Sequence, residues 1–251
     1  MPHSERRCVP PRPTLKEHRR ELSSENRTRC GNPLPDHFRE LDPGGHPAGP
    51  VLSNPNYIIS AGADTRVIGG ALLDLVNALA CIGTAVALFS IVKRQHEGFA
   101  LGFVTSRMFE AAVIVIGVVS ILSVVSLRQG DASGADAASL VTAGRSLVAV
   151  RNWTFALGPG LAPAINALLL GTLMYQSRLV PRIIPMLGLI GAPMLLSSTL
   201  GTMFGINSAV SIWTGIATLP IFFWELSLGL WMTFKGFNAS APILSRASEG
   251  S

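Results

Sequence analysis

Seven polar residues stand inside long apolar stretches of this 251-residue chain: Asp74, Asn77, Arg107, Glu110, Arg151, Asn166 and Glu225. An ionisable side chain within a membrane span costs about 2.5–3.5 kcal/mol on insertion scales, so each is a functional hypothesis by default. Asp74 and Asn77 are three residues apart, as are Arg107 and Glu110, and that spacing puts each pair on one helix face. Two carboxylates sharing one guanidinium would make a proton-responsive site. The plainer chemistry is structural: polar contacts between membrane helices tie neighbours together, worth about 0.6 kcal/mol each on average. The structural reading is preferred. A second feature is Gly158-Pro159-Gly160 followed by Pro163, which interrupts an apolar stretch. Broken helices bare carbonyls to ions or substrates, but a packing kink is the simpler expectation.

The elements that must position these residues are membrane spans. From Val67 to Phe234 the chain is almost continuously apolar; it is 48% hydrophobic and 14% charged overall. Crossing ~30 Å of hydrocarbon takes roughly 20 apolar residues. Five spans are expected: 67–92, 99–127, 147–175 kinked at Pro159 and Pro163, 183–204, and a last span ending at 234. Backbone polar groups facing lipid must be satisfied within the segment, so an all-α integral membrane helical bundle is the architecture that fits. In span 183–204, Gly188, Gly191, Gly201 and Gly205 offer small faces for close packing, and Gly201 and Gly205 form a GxxxG pair. Trp153, Trp213 and Tyr175 suit interfacial anchors, with Trp224 and Trp231 facing lipid or a neighbouring helix.

Orientation follows from the connectors. Lys93 and Arg94, then Arg178 and Arg182, then Lys235 and Arg246 fall on one side when spans alternate. The positive-inside rule puts that side, and the C-terminus, in the cytoplasm. Span order then places Asp74 and Arg151 toward the outer side as a pair, and Arg107, Glu110 and Glu225 in the inner half as a triad. Residues 1–55 differ in kind. Nine cations from Arg6 to Arg39 alternate with acids and prolines, leaving too little apolar surface to offset the entropy of ordering, so this segment is expected to be disordered. It has no apolar core of a signal peptide. The tail 238–251 is expected to be flexible.

Several strings resemble one family. They include Ala61-Gly-Ala-Asp-Thr-Arg66, Ser106-Arg-Met-Phe-Glu110, Trp153-Thr-Phe-Ala-Leu-Gly-Pro-Gly160, Tyr175-Gln-Ser-Arg-Leu-Val-Pro-Arg182 and Trp224-Glu-Leu-Ser-Leu-Gly-Leu-Trp231. Over about 56–237 the chain resembles the DUF4386 family of bacterial multi-pass membrane proteins, which have no established function. The resemblance implies one further transmembrane helix ahead of Ala61, where this chain carries its polar, Pro-rich stretch. The chain therefore reads as a five-helix version of a six-helix family, through a truncated or frame-shifted start or a divergent N-terminus.

Other function classes lose support. The net charge of +5 sits largely beside spans, where it sets topology, so no nucleic-acid partner is expected. His96 is the one histidine beyond the N-terminal segment, which argues against a histidine metal centre or a Ser-His-Asp triad in the bundle. Cys8, Cys30 and Cys81 have no metal-like spacing, and no phosphate or dinucleotide motif is present. Neither cofactor nor metal is expected; the protein is read as no enzyme, with a membrane-embedded enzyme the least favoured of three readings. Ser120, Ser123, Ser197, Ser198 and Thr199 should bond helix carbonyls. The expected protein is a multi-pass protein of the bacterial inner membrane, structural or regulatory. Its partners are the lipid bilayer and a second copy or another membrane protein. A small-solute or proton-coupled transporter using the intramembrane carboxylates is the alternative.

Overall fold

A computed structural model describes residues 51–52, 54, 57–59, 64–130, 137–208 and 211–238. A 3-10 turn at Tyr57–Ile59 leads into α1 (Asp64–Val92) and α2 (Glu97–Gln129). Then come α3 (Ala137–Leu157), α4 (Ala162–Ser177), α5 (Ile183–Met203) and α6 (Ile212–Phe234). No strand occurs among the described residues. With α3 and α4 counted as one interrupted span, five segments are long and apolar enough to cross a membrane.

Local chemistry sets the helix ends. His96 caps α2, its ring nitrogen accepting from the Phe99 N–H at 3.3 Å, and Ser211 caps α6 by accepting from the Thr214 N–H at 3.1 Å. At the end of α5, Gly205 takes φ +71°. The Ile206 N–H reaches Gly201 O at 2.8 Å and the Gly205 N–H reaches Thr202 O at 3.1 Å. That is a Schellman stop, for which glycine is needed at the left-handed position. The expected GxxxG packing face is therefore corrected: Gly205 lies beyond the helix, and the motif ends α5.

The third span departs most from expectation. Instead of one kinked helix over 147–175, the chain forms a helix from Ala137, breaks at 158–161, and restarts at Ala162. Pro159 sits in the break, while Pro163 opens α4, where its missing N–H costs nothing. The loop expected over 129–138 shrinks accordingly. Gly144 is buried in α3. A Cβ there would meet Ile58 at 3.3 Å, so the glycine lets the N-terminal turn lie against the helix.

α2 is the central element, packed on α1, α3 and α4, and the chain continues through α4 on α5 and α5 on α6. The largest core cluster includes Leu88, Phe103, Leu173, Met174, Leu195 and Trp224. α1 and α6 are the least covered spans. Leu72, Leu73, Val76 and Leu79 on α1, with Leu219, Phe222, Phe223 and Leu230 on α6, present apolar surface outward. Helices that hide so little can keep such faces only against hydrocarbon or a partner. At one end, fully buried Leu179 packs with Ile91 and Phe237, and the Asn238 N–H donates to Leu179 O at 3.0 Å. The connectors and tail bearing Lys93, Arg94, Arg178, Arg182 and Lys235 thus converge on one end of the bundle, called here the basic end.

Most of residues 1–55, with Cys8 and Cys30, lie outside the described residues, as does the tail beyond Asn238. At the segment's close, however, Val51 and Leu52 are helical, and Val51 is 2% exposed among Tyr57, Val67, Ile121 and Val124. Apolar packing thus begins by residue 51, not at 56.

Candidate functional site: three polar layers in an apolar bundle

Three clusters of charge interrupt the apolar packing at different depths. Along α1 they are marked by Asp64, Asp74 and Cys81. A rise of 1.5 Å per residue separates them by about 15 Å and then about 10 Å.

The layer farthest from the basic end joins the N-terminal turn to α1 and α2. Arg128 Nη1 donates to Asp64 Oδ1 and, at 3.3 Å, to the Tyr57 hydroxyl. The Tyr57 hydroxyl donates to Asp64 at 2.7 Å, and Gln129 Nε2 donates to the other Asp64 oxygen at 3.0 Å. The Arg128 guanidinium also lies over the Tyr57 ring, 4.9 Å from its centroid. Burial pushes the Tyr57 phenol above its ordinary value of 10.0, partly offset by Arg128. Neither Tyr57 nor Arg128 stands among the candidates read from the sequence. The available signal was Asp64, an acid in the first turn of a span, within reach of a cation at the end of the next.

The middle layer is Asp74 on α1 with Arg151 on α3. Arg151 Nη2 donates to Asp74 Oδ2 at 2.7 Å, and Arg151 is 5% exposed. Its guanidinium lies 5.0 Å from the Phe155 ring centroid. α2 makes room for it with Gly117, where a Cβ would meet Thr154 Oγ1 at 2.6 Å and Arg151 Cδ at 3.1 Å. Arg151 is not near a helix end, as the 147 start implied; α3 starts at Ala137, so it lies fourteen residues in. Asn77, one turn from Asp74, is exposed and joins none of these layers.

The third layer gathers α1, α2, α4 and α6 around one guanidinium. Arg107 Nη1 meets Glu110 Oε2 at 3.0 Å, and Arg107 Nη2 meets Glu225 Oε1 at 3.1 Å. Asn166 Nδ2 donates to the same Glu110 oxygen at 2.8 Å, and Cys81 Sγ lies 3.7 Å from Arg107 Nη1. Cys81, Arg107, Asn166 and Glu225 stand nine to eleven residues from the basic ends of their helices. That is about 14–17 Å, close to half of a ~30 Å hydrocarbon layer. The triad expected in the inner half is thus nearer the midplane. Glu110 is 4% exposed and Asn166 2%, whereas the Glu225 side chain is 42% exposed.

The break at Gly158, Pro159, Gly160 and Pro163 frees backbone carbonyls. Thr199 of α5 donates its hydroxyl to Gly160 O at 2.8 Å, and Ala162 N–H bonds Gly158 O at 3.0 Å. Both carbonyls are therefore engaged within the protein. Ser120, Ser123 and Ser197 bond carbonyls of their own helices, while Ser198 instead donates to Thr214 Oγ1 on α6 at 2.9 Å. Trp224 faces protein rather than lipid: it is 2% exposed and lies so close to Gly188 that a Cβ there would approach its ring to 2.8 Å.

The model of one protein family, described as a domain of unknown function (DUF4386), matches residues 48–236. No curated protein and no solved structure matches the chain.

Proposed function

The chain belongs to the DUF4386 family, and from that premise we propose a structural or regulatory, non-enzymatic role in the bacterial inner membrane. The observation that supports it is the middle layer, where the Arg151 and Asp74 charges are directed at each other. Removing one member of a buried ion pair costs about 3–5 kcal/mol, because the survivor is left uncompensated. This pair therefore ties α1 to α3 beside the α2 helix on which both pack. The C-terminus is assigned to the cytoplasm on the convergence of Lys93, Arg94, Arg178, Arg182 and Lys235 at one end. Its partners would be the bilayer and, on the exposed α1 and α6 faces, a second copy or another membrane protein.

One observation favours a second reading, transport of a small solute or protons. Glu225 is 42% exposed near the midplane, where a carboxylate fits a water-filled path better than lipid. Native Cys81 separates the two. In a Cys8→Ser/Cys30→Ser protein in sealed vesicles, the structural reading predicts that Cys81 resists a membrane-impermeant maleimide from either side. Labelling would mark a water path to the cluster, support transport and overturn a purely structural role.

A further inference from the structure

The formal charges of the midplane layer do not cancel. Arg107 supplies one positive charge and Glu110 and Glu225 one negative charge each, so the sum is +1 − 2 = −1. Arg107 of α2 bonds Glu225 directly, while Glu110 of α2 and Cys81 of α1 join through Arg107, and Asn166 of α4 through Glu110. α5 carries no ionisable residue at all. Arg151, the cation of the adjoining layer, is bound to Asp74. An uncompensated charge at this depth is expensive.

A second, independent observation points the same way. Asn166 is 2% exposed, and while its Nδ2 donates to Glu110, its Oδ1 is buried with no hydrogen-bond partner. A buried acceptor left unmade costs about 1–3 kcal/mol. Arg107 Nε and, one residue before it, Ser106 Oγ are buried without partners as well. The layer thus lacks one positive charge and one group to satisfy a carboxamide oxygen.

We infer that this midplane cluster takes up one small monovalent cation, a proton or a sodium ion, at the Glu110–Glu225 carboxylate pair with Asn166 Oδ1 as a further acceptor. One such charge brings the sum to zero. A divalent ion would overshoot it, and calcium would need six to eight oxygen ligands beside the fixed guanidinium. Uptake of sodium makes and breaks no covalent bond; when the cation is a proton, the carboxyl O–H forms as an O–H of hydronium breaks, leaving water. The inference goes beyond both functional readings, because occupancy requires no passage across the bilayer.

The full chain in neutral-lipid nanodiscs provides the test, with thermal unfolding followed by circular dichroism. In one arm sodium chloride replaces choline chloride at fixed pH; in the other the pH is lowered in choline chloride alone. A cation that binds only the folded state raises Tm by about 3–5 °C per tenfold increase above its dissociation constant. The expected result is such a rise in one arm: the sodium arm identifies sodium, the acid arm a proton. Glu225→Gln keeps an acceptor for Arg107 but removes the excess charge, and its Tm should lose that response. Glu110→Gln is the second variant and should lose it too, since the pair shares one charge. A wild type flat in both arms overturns the inference, as does a response that survives in both variants. Reconstituted flux measurements bear only on transport, so their failure leaves the site standing.

Discussion

At the scale of single residues, the buried Arg151 charge lies against a neighbour small enough to admit it. That neighbour is Gly117. It is small because Arg151 and Thr154 pass within contact distance of where its Cβ would be. Gly117→Ala should therefore lower stability by about 1–3 kcal/mol, the usual range for overpacking. Adding Thr154→Ala should recover part of it, and unfolding in mixed micelles of rising SDS fraction reads both. Tyr57 provides a pH test outside the spans. Its phenol is raised in the folded state by burial. The contribution it makes is thus full below the unfolded value of 10.0 and lost as pH rises through the folded one. Alkaline unfolding followed by circular dichroism should show stability falling above about pH 10. Tyr57→Phe, which loses the bond to Asp64, should be less stable at pH 8 but flatter above pH 10. The pairings Asp74–Arg151 and Arg107–Glu225 were legible in sequence because span order and residue counts set depth, and intramembrane charges have few partners. The Tyr57–Asp64–Arg128 layer was not, since at span ends a charge made for topology and one made for contact look alike.

At the scale of elements, α5 and α6 form a pair whose separation is set by two glycines. A Cβ at Gly191 would approach Pro220 Cβ to 2.8 Å and the Ile221 backbone nitrogen to 3.0 Å, and backbone cannot rotate away. Gly191→Ala should cost about 1–3 kcal/mol. Gly188→Ala, whose Cβ would press on the fused bond of the Trp224 indole, should also shift tryptophan fluorescence. The break between α3 and α4 depends on α5 for one carbonyl, so Thr199→Val should cost about 1 kcal/mol. Unfolding of each variant by SDS titration checks these values. Span number and most boundaries were readable because bilayer thickness imposes a minimum apolar length. Which face of a span is buried was not readable: lipid and protein core are equally apolar, so Trp224 and Phe223, adjacent in sequence and opposite in burial, carry no distinguishing signal. The early start of α3 was hidden by the Gly144-Arg145-Ser146 string, in which Gly144 instead serves contact with Ile58.

At the scale of the whole molecule, the bundle is an apolar frame crossed by three polar layers, each joining elements far apart in sequence. α2 runs through all of them, with Arg128, Gly117 and Arg107 in turn. Hydrophobic burial contributes little to choosing among helix pairings inside a bilayer, so these layers carry the choice. A double-mutant cycle on Asp74→Asn and Arg151→Gln in bilayer nanodiscs measures that choice directly. A coupling energy of at least about 1 kcal/mol, above the ~0.6 typical of interhelical polar contacts, is the predicted result. Coupling indistinguishable from zero, with both single variants as stable as wild type, would contradict the account.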